Sequence, residues 1–214
     1  MNRTAPLPRW RRRPDARPDE VLDAALDAFM AHGYAATRME DVARACGLSK
    51  AALYLYFPSK EAIFRALVAG RLQPLRDAAE TAVAAANEDV VGGLRAIIGF
   101  WVKVADDERL AALPRLVLSE AAQFPEIAAA YHEMMVARAS QAISGLIGRG
   151  IAQGLFRPVD PEAAARMLLA PLAMDLWRRN AFAGLEPASR SPSEVAEMTL
   201  DLFLKGVAAR QDRP

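Results

Sequence analysis

Apolar residues recur along this chain at spacings of three and four. Val21, Leu22, Ala25, Leu26, Phe29 and Met30 form one such stripe, ending at Gly33, and predict an amphipathic helix. Thr37-Arg38-Met39-Glu40 reads as a capping box, with a Thr hydroxyl for the N3 amide and a Glu reaching back. Met39, Val42, Ala43 and Cys46 follow at i, i+3, i+4 and i+7, and Gly47 stops that short helix. Ser49 can cap the next helix, which runs to about Tyr56. Phe57-Pro58 breaks the chain. Ser59 then opens a longer helix through Ile63, Phe64, Leu67, Val68 and Leu72.

Beyond this the helices lengthen. Leu94, Ile97, Ile98, Trp101 and Val102 mark one, and Pro114 and Pro125 punctuate the next stretch. A helix of about 28 residues is expected from Glu126 to Gln153, with Gly154 as its stop. Asp160-Pro161-Glu162 supplies a cap and an N1 proline. Ser191-Pro192-Ser193-Glu194 is a second capping box and opens the last helix. The pattern gives an all-α fold of about nine helices. Leu53-Tyr54-Leu55-Tyr56-Phe57 could pass for a strand but has no partner nearby, and no internal repeat is present.

Composition narrows the class. Of 214 residues, 53% are hydrophobic, which is too many for a disordered chain. The 27 Lys and Arg nearly cancel the 26 Asp and Glu, leaving +1, so any nucleic-acid contact must use a local basic patch. One such patch opens the chain. Residues 1–17 hold six Arg and one Asp, with Pro6, Pro8, Pro14 and no apolar period. They read as a flexible basic arm, either a solvated tail or a DNA-contacting arm. No uncharged run approaches the roughly 20 residues of a membrane span. Arg11, Arg12 and Arg13 precede no apolar segment, so no secretory signal and no membrane partner are expected. A cytoplasmic protein follows.

The informative segment lies between Thr37 and Lys60. Two short helices joined at Gly47-Leu48-Ser49 describe a helix-turn-helix. Ala43 must be small where the axes cross, and Gly47 sits where positive φ is expected. Val42, Cys46, Leu48 and Leu53 should fill the miniature core beneath Phe29. Lys50, Ala51, Tyr54 and Leu55 then face outward, a composition that suits a surface meeting phosphates and bases.

The residues Gly33-Tyr34, Thr37, Met39-Glu40-Asp41-Val42-Ala43 and the run from Cys46 to Ala62 resemble the N-terminal signature of TetR-family transcriptional regulators. Leu53-Tyr54-x-Tyr56-Phe57-x-Ser59-Lys60-Glu61 is the most specific part. Leu116-Val117-Leu118-Ser119-Glu120-Ala121 and Phe124-Pro125-Glu126 resemble C-terminal regions of a common subset of that family. The resemblance implies a homodimeric repressor of a palindromic double-stranded DNA operator. It places a helix-turn-helix DNA-binding domain at 18–64 and a larger ligand-binding and dimerisation domain at 65–214. The last two helices would pair with those of the partner in a four-helix bundle. A small-molecule effector would move the fourth helix, spread the heads and release DNA.

Carried onto this sequence, the resemblance puts Thr37 and Arg38 at the start of the second helix. Lys50, Ala51, Ala52 and Tyr54 fall on the reading helix, and Tyr56 and Lys60 flank the backbone. Ala52 and Leu55 depart from the more polar residues usual there. Readout should therefore lean on thymine methyls and DNA shape, with Lys50 as the main polar reader.

The regulatory half is less explicit. Phe100, Trp101, Phe124, Tyr131, Met134, Met135, Met167, Met174 and Trp177 gather bulky, adaptable side chains, as a mostly apolar pocket or an ordinary core would. All but Met167 are taken as candidate ligand contacts, together with Arg115. Gly70 and Pro74 stand four apart, a candidate hinge. Leu168, Leu169, Leu172 and Leu176, with Ala165 and Ala173, suit a close helix–helix seam. Met198, Leu202 and Phe203 do the same on the last helix.

Enzyme readings fare badly. His32 and His132 are the only histidines, and Cys46 is the only cysteine. No metal-ligand spacing and no nucleophile elbow occur, and Gly145, Gly148 and Gly150 follow no strand. No cofactor and no metal are expected. The reading that competes with the repressor is a helical ligand-binding or scaffold protein with weak or no specific DNA binding.

Overall fold

A computed structural model describes residues 17–86, 88–182, 185 and 190–209. Among them the chain forms nine helices. α1 is Arg17–Ala36, α2 Met39–Ala45 and α3 Lys50–Tyr56. α4 covers 60–85 in three joined pieces: Lys60–Leu67, a π-turn at Val68–Leu72, and Gln73–Ala85. α5 is Val90–Asp106 and α6 Glu108–Glu120. α7 covers 125–152 as Pro125–Tyr131, a π-turn at His132–Val136, and Ala137–Ala152. α8 is Pro161–Ala181 and α9 Pro192–Val207. The strand-like run at 53–57 is helical through Tyr56. The basic arm expected at 1–17 lies outside the described residues except for Arg17, where α1 begins. Among the described residues, no helix is long and apolar enough to cross a membrane.

Most of the caps form as the sequence reading expects. Ser49 accepts from the Ala52 amide at 3.1 Å, Ser59 from Ala62 at 3.1 Å and Asp160 from Glu162 at 3.0 Å. Ser191 and Glu194 complete a reciprocal capping box. The box expected at Thr37 does not form. The Thr37 hydroxyl turns back to the carbonyls of Gly33, at 2.7 Å, and Ala28, at 3.2 Å. Arg38 caps α2 through its extended backbone alone, with no side-chain bond. The reason lies in α1. Gly33 leaves helical geometry at φ 79°, so the carbonyls upstream lose their helical donors, and Thr37 supplies one.

The π-turn in α4 contains Gly70 and ends two residues before Pro74. Pro74 has no N–H to give the Gly70 carbonyl. The chain answers by slipping one residue, so that the Gln73 amide bonds the Val68 carbonyl five back. The second π-turn, in α7, has neither proline nor glycine beside it.

Two apolar cores hold the chain. The first joins α1, α2 and α3 to α4, α6 and the front half of α7, through Leu26, Phe29, Leu53, Phe64, Leu72, Leu113 and Ile127. The second joins α5, the rear of α7, α8 and α9, through Leu94, Ile98, Ile143, Leu168, Leu172 and Leu200. The helix-turn-helix therefore shares its core with two helices of the regulatory half. Cys46, expected buried, is only half-buried at the edge of this core, its thiol 3.7 Å from the Glu20 carbonyl.

Candidate nucleic-acid interface and effector cavity

α3 is the outward helix of the helix-turn-helix. Leu53 is its buried side, and Gly47, at φ 64°, makes the turn that sets it against α2. Leu55 stands 88% exposed, with Tyr54 and Tyr56 exposed beside it. Ala51 is exposed and Ala52 half-buried, so α3 offers bases an apolar face. Arg38 is exposed at the start of α2. Lys50, the expected polar reader, is held by Glu40 at 2.5 Å, with its ammonium 5.9 Å from the centre of the Tyr54 ring. That bond raises the lysine and holds the Glu40 carboxyl below its ordinary range.

Two expected DNA contacts are turned inward. Thr37 is buried, its hydroxyl spent on α1. Lys60 reaches the end of α1 from the start of α4. Its ammonium donates to the carbonyls of Tyr34, of Thr37 at 3.1 Å and of Ala35 at 3.4 Å. It also lies 4.2 Å from the Tyr34 ring centre and 5.4 Å from that of Phe124. A cation at a helix C-terminus meets unpaired carbonyls and the negative end of the dipole. Burial pushes the ammonium down, and Glu120 and Glu126 oppose that shift.

Lys60→Met keeps the stem and removes these bonds. It should cost about 1–3 kcal/mol, read as a lower urea midpoint with unchanged m. DNA affinity of the folded protein should stay within about twofold, less than the loss of a charge-assisted bond would give. A tenfold affinity loss at unchanged stability would return Lys60 to the DNA interface.

Around this lysine the head is clamped to the regulatory half. Tyr34, 1% exposed, meets Phe29 at 5.2 Å, Phe64 at 6.4 Å and Phe124 at 5.0 Å between ring centres. Its amide donates to Glu120, the last residue of α6, at 3.1 Å. Arg109, also on α6, reaches Asp27 at 2.5 Å and Asp23 at 3.2 Å on α1. Sequence reasoning missed this clamp. Its only trace was that Glu120 and Phe124 stood within the second resembling segment.

A cavity of about 280 Å³ lies between α5, α6, α7 and α8. Phe100, Trp101, Tyr131 and Met135, all expected ligand contacts, line it, with Ile97, Ile98, Val104, Pro114, Val117, Leu118 and Leu169. Its lining carries no charged side chain among the described residues. Trp101 Nε1 is buried without a hydrogen-bond partner among the described residues. Tyr131 likewise has no partner among the described residues, and burial alone pushes its phenol up.

The other five expected contacts lie elsewhere. Phe124 packs on Tyr34, and Met134 on the first core. Arg115 faces a cleft between α1 and α6 and donates to the Glu108 carbonyl at 3.2 Å. Met174 and Trp177 are exposed on the outer side of α8.

The leucines expected at a dimer seam are also placed inside the single chain. Leu168, Leu172 and Leu176 point into the protein's own second core or cavity, Leu168 at 0% exposure, and Leu169 lines the cavity. The outer face of α8 instead carries Met167, Pro171 and Met174, beside Met198, Leu202 and half-buried Phe203 of α9. One step along a helix turns a side chain by about 100°, and α8 is apolar on both sides. Asp175, at the edge of this groove, is buried and paired with Arg179 at 2.5 Å and Arg178 at 3.6 Å.

Comparison with known proteins agrees with this arrangement. The model of the bacterial regulatory proteins of the tetR family matches residues 21–67. That of the AefR-like transcriptional repressor C-terminal domain matches residues 92–206. The HTH-type transcriptional regulator YfiR of Bacillus subtilis is 30% identical over 158 residues, covering 70% of this chain and 72% of that protein. A TetR-family regulator from Mesorhizobium loti superposes with a TM-score of 0.67 at 25% identity, covering 92% of this chain and 99% of the other. SmeT of Stenotrophomonas maltophilia, in complex with triclosan, superposes with a TM-score of 0.74 at 24% identity, covering 92% and 93%. The chain belongs to the TetR family of helix-turn-helix transcriptional regulators.

Proposed function

We propose that this regulator is a homodimeric repressor whose two heads bind a palindromic operator and whose cavity takes a small, mostly apolar effector that releases it. The DNA-binding unit is taken as 18–64 and the regulatory unit as 65–214. The observation that carries the reading is α3, whose most exposed residue is a leucine flanked by two tyrosines. Such a face is costly in water and suits thymine methyls and the sugar–phosphate edge. Lys50, Tyr54, Leu55 and Tyr56 with Ala51 and Ala52 would enter the major groove, and Arg38 would meet phosphate. Thr37 and Lys60 would serve by holding α1 rather than by touching DNA.

The second copy would sit on the α8–α9 face through Met167, Pro171, Met174, Met198 and Leu202. Two heads so joined would read half-sites about 34–36 Å apart, or a multiple of that. Release would start at α6. Pro114, Val117 and Leu118 line the cavity, and Glu120 at the end of the same helix holds the Tyr34 amide. An effector pressing on α6 would pull α1, while α4 yields at its π-turn. SmeT, a protein of the same fold, holds triclosan in its complex, which supports a ligand-binding body.

Glu40→Gln tests the interface directly. Losing that carboxylate frees Lys50 and removes a negative charge beside the phosphates. DNA affinity should rise about fivefold, with a steeper dependence on salt. Unchanged affinity would take Lys50 out of the interface.

A further inference from the structure

The chemistry of the cavity restricts what it can hold, and this inference rests on reading it as the effector site. No charged side chain lines it among the described residues. An ion entering would lose its water without gaining a partner, so charged effectors are disfavoured. Its volume of about 280 Å³ is close to twice the roughly 150 Å³ of an apolar cavity that takes one benzene ring. Two rings, or an aliphatic equivalent, fill it, and a long acyl chain does not.

The lining is apolar except at two side chains. Tyr131 is half-buried on the lining, and its hydroxyl meets no protein partner among the described residues. Trp101, on the facing α5, has its Nε1 enclosed by protein atoms without a hydrogen-bond partner among the described residues, so an occupant of the cavity meets its ring and not this donor. Buried polar groups in native proteins are nearly always paired. The Tyr131 hydroxyl on this lining lacks an oxygen to accept from it. The phenol stays protonated, since burial raises it, and so it remains a donor.

We infer that the cavity takes a neutral, apolar molecule of about two rings bearing one oxygen acceptor, anchored by the Tyr131 hydroxyl. The effector would then be an aryl ketone, lactone or phenol ether in class, rather than a carboxylate, a cation or a plain hydrocarbon.

The test uses calorimetry on the full chain with three probes of similar shape: 2-acetylnaphthalene, 2-ethylnaphthalene and 2-naphthoate. In the wild type the ketone binds and the naphthoate does not. In Tyr131→Phe the ratio of ketone to hydrocarbon affinity falls about tenfold, the scale of one buried hydrogen bond. The unliganded variant melts at the wild-type temperature or slightly above it, because an unpaired hydroxyl has been removed. A ratio unchanged by the substitution, or naphthoate as the tightest probe, would overturn the acceptor class and leave the effector site standing. Failure of all three probes to bind would overturn the cavity as an effector site and this inference with it.

Discussion

Tyr34→Ala is expected to destabilise the chain by about 3–5 kcal/mol, the range for deleting a buried aromatic ring. The ring is 1% exposed, with three aromatic neighbours and the Lys60 ammonium against it. Those contacts come from α1, α4 and the start of α7, so truncation opens a void that no single element can close. For a chain of this size the melting temperature should fall by roughly 10 °C. The loss should appear in one transition rather than two. The head's core runs without a break into α6 and α7 through Leu113, Leu116 and Ile127, so the head should not melt alone. Calorimetry checks both points. A loss under about 1 kcal/mol, or a separate low-temperature transition, would show that Tyr34 joins nothing.

Leu202→Glu is expected to break the dimer and leave the fold intact. Leu202 is 65% exposed in the single chain, so a carboxylate there stays in water. Against a second copy the same carboxylate would lose its water beside Met167, Met174 and Met198. Sedimentation should give a monomer at micromolar concentrations, and a dimer for the wild type. Operator affinity should fall by about 10²–10⁴, because the second half-site is no longer delivered at a high effective concentration. Leu168→Glu makes the contrast. Leu168 is 0% exposed within its own core, so that variant should unfold rather than dissociate. A Leu202→Glu protein that remains dimeric would move the interface away from α8 and α9.

These two substitutions also mark what the sequence made legible. Helix positions and most caps follow from neighbours three or four residues away, and they were readable. The ends of the long helix α7 came within one residue. The helix-turn-helix was readable for the same reason, since its turn, small crossing residue and cap all lie within a few residues. What failed was decided across the fold. Thr37 and Lys60 are polar residues in a DNA-binding signature, yet both turn to the open end of α1, whose need for donors is visible only in three dimensions. On α8 the leucine stripe and the methionine–proline stripe lie on adjacent faces of one apolar helix. Nothing local says which is inside. The cavity was half legible. Phe100, Trp101, Tyr131 and Met135 converge there, while Arg115, Phe124, Met134, Met174 and Trp177 share their composition but sit on other faces.

The proposed readout is of a symmetric DNA site by two joined α3 helices. Its most direct test is an anisotropy titration of the purified protein on the intergenic DNA upstream of its own gene, at two salt concentrations, with each half of any inverted repeat scrambled in turn. The expected result is nanomolar binding of a dimer, a strong loss when either half is scrambled, and an affinity that falls steeply with salt. Weak binding indifferent to the scrambling would contradict it. The chain would then be a helical ligand-binding body whose head no longer reads sequence.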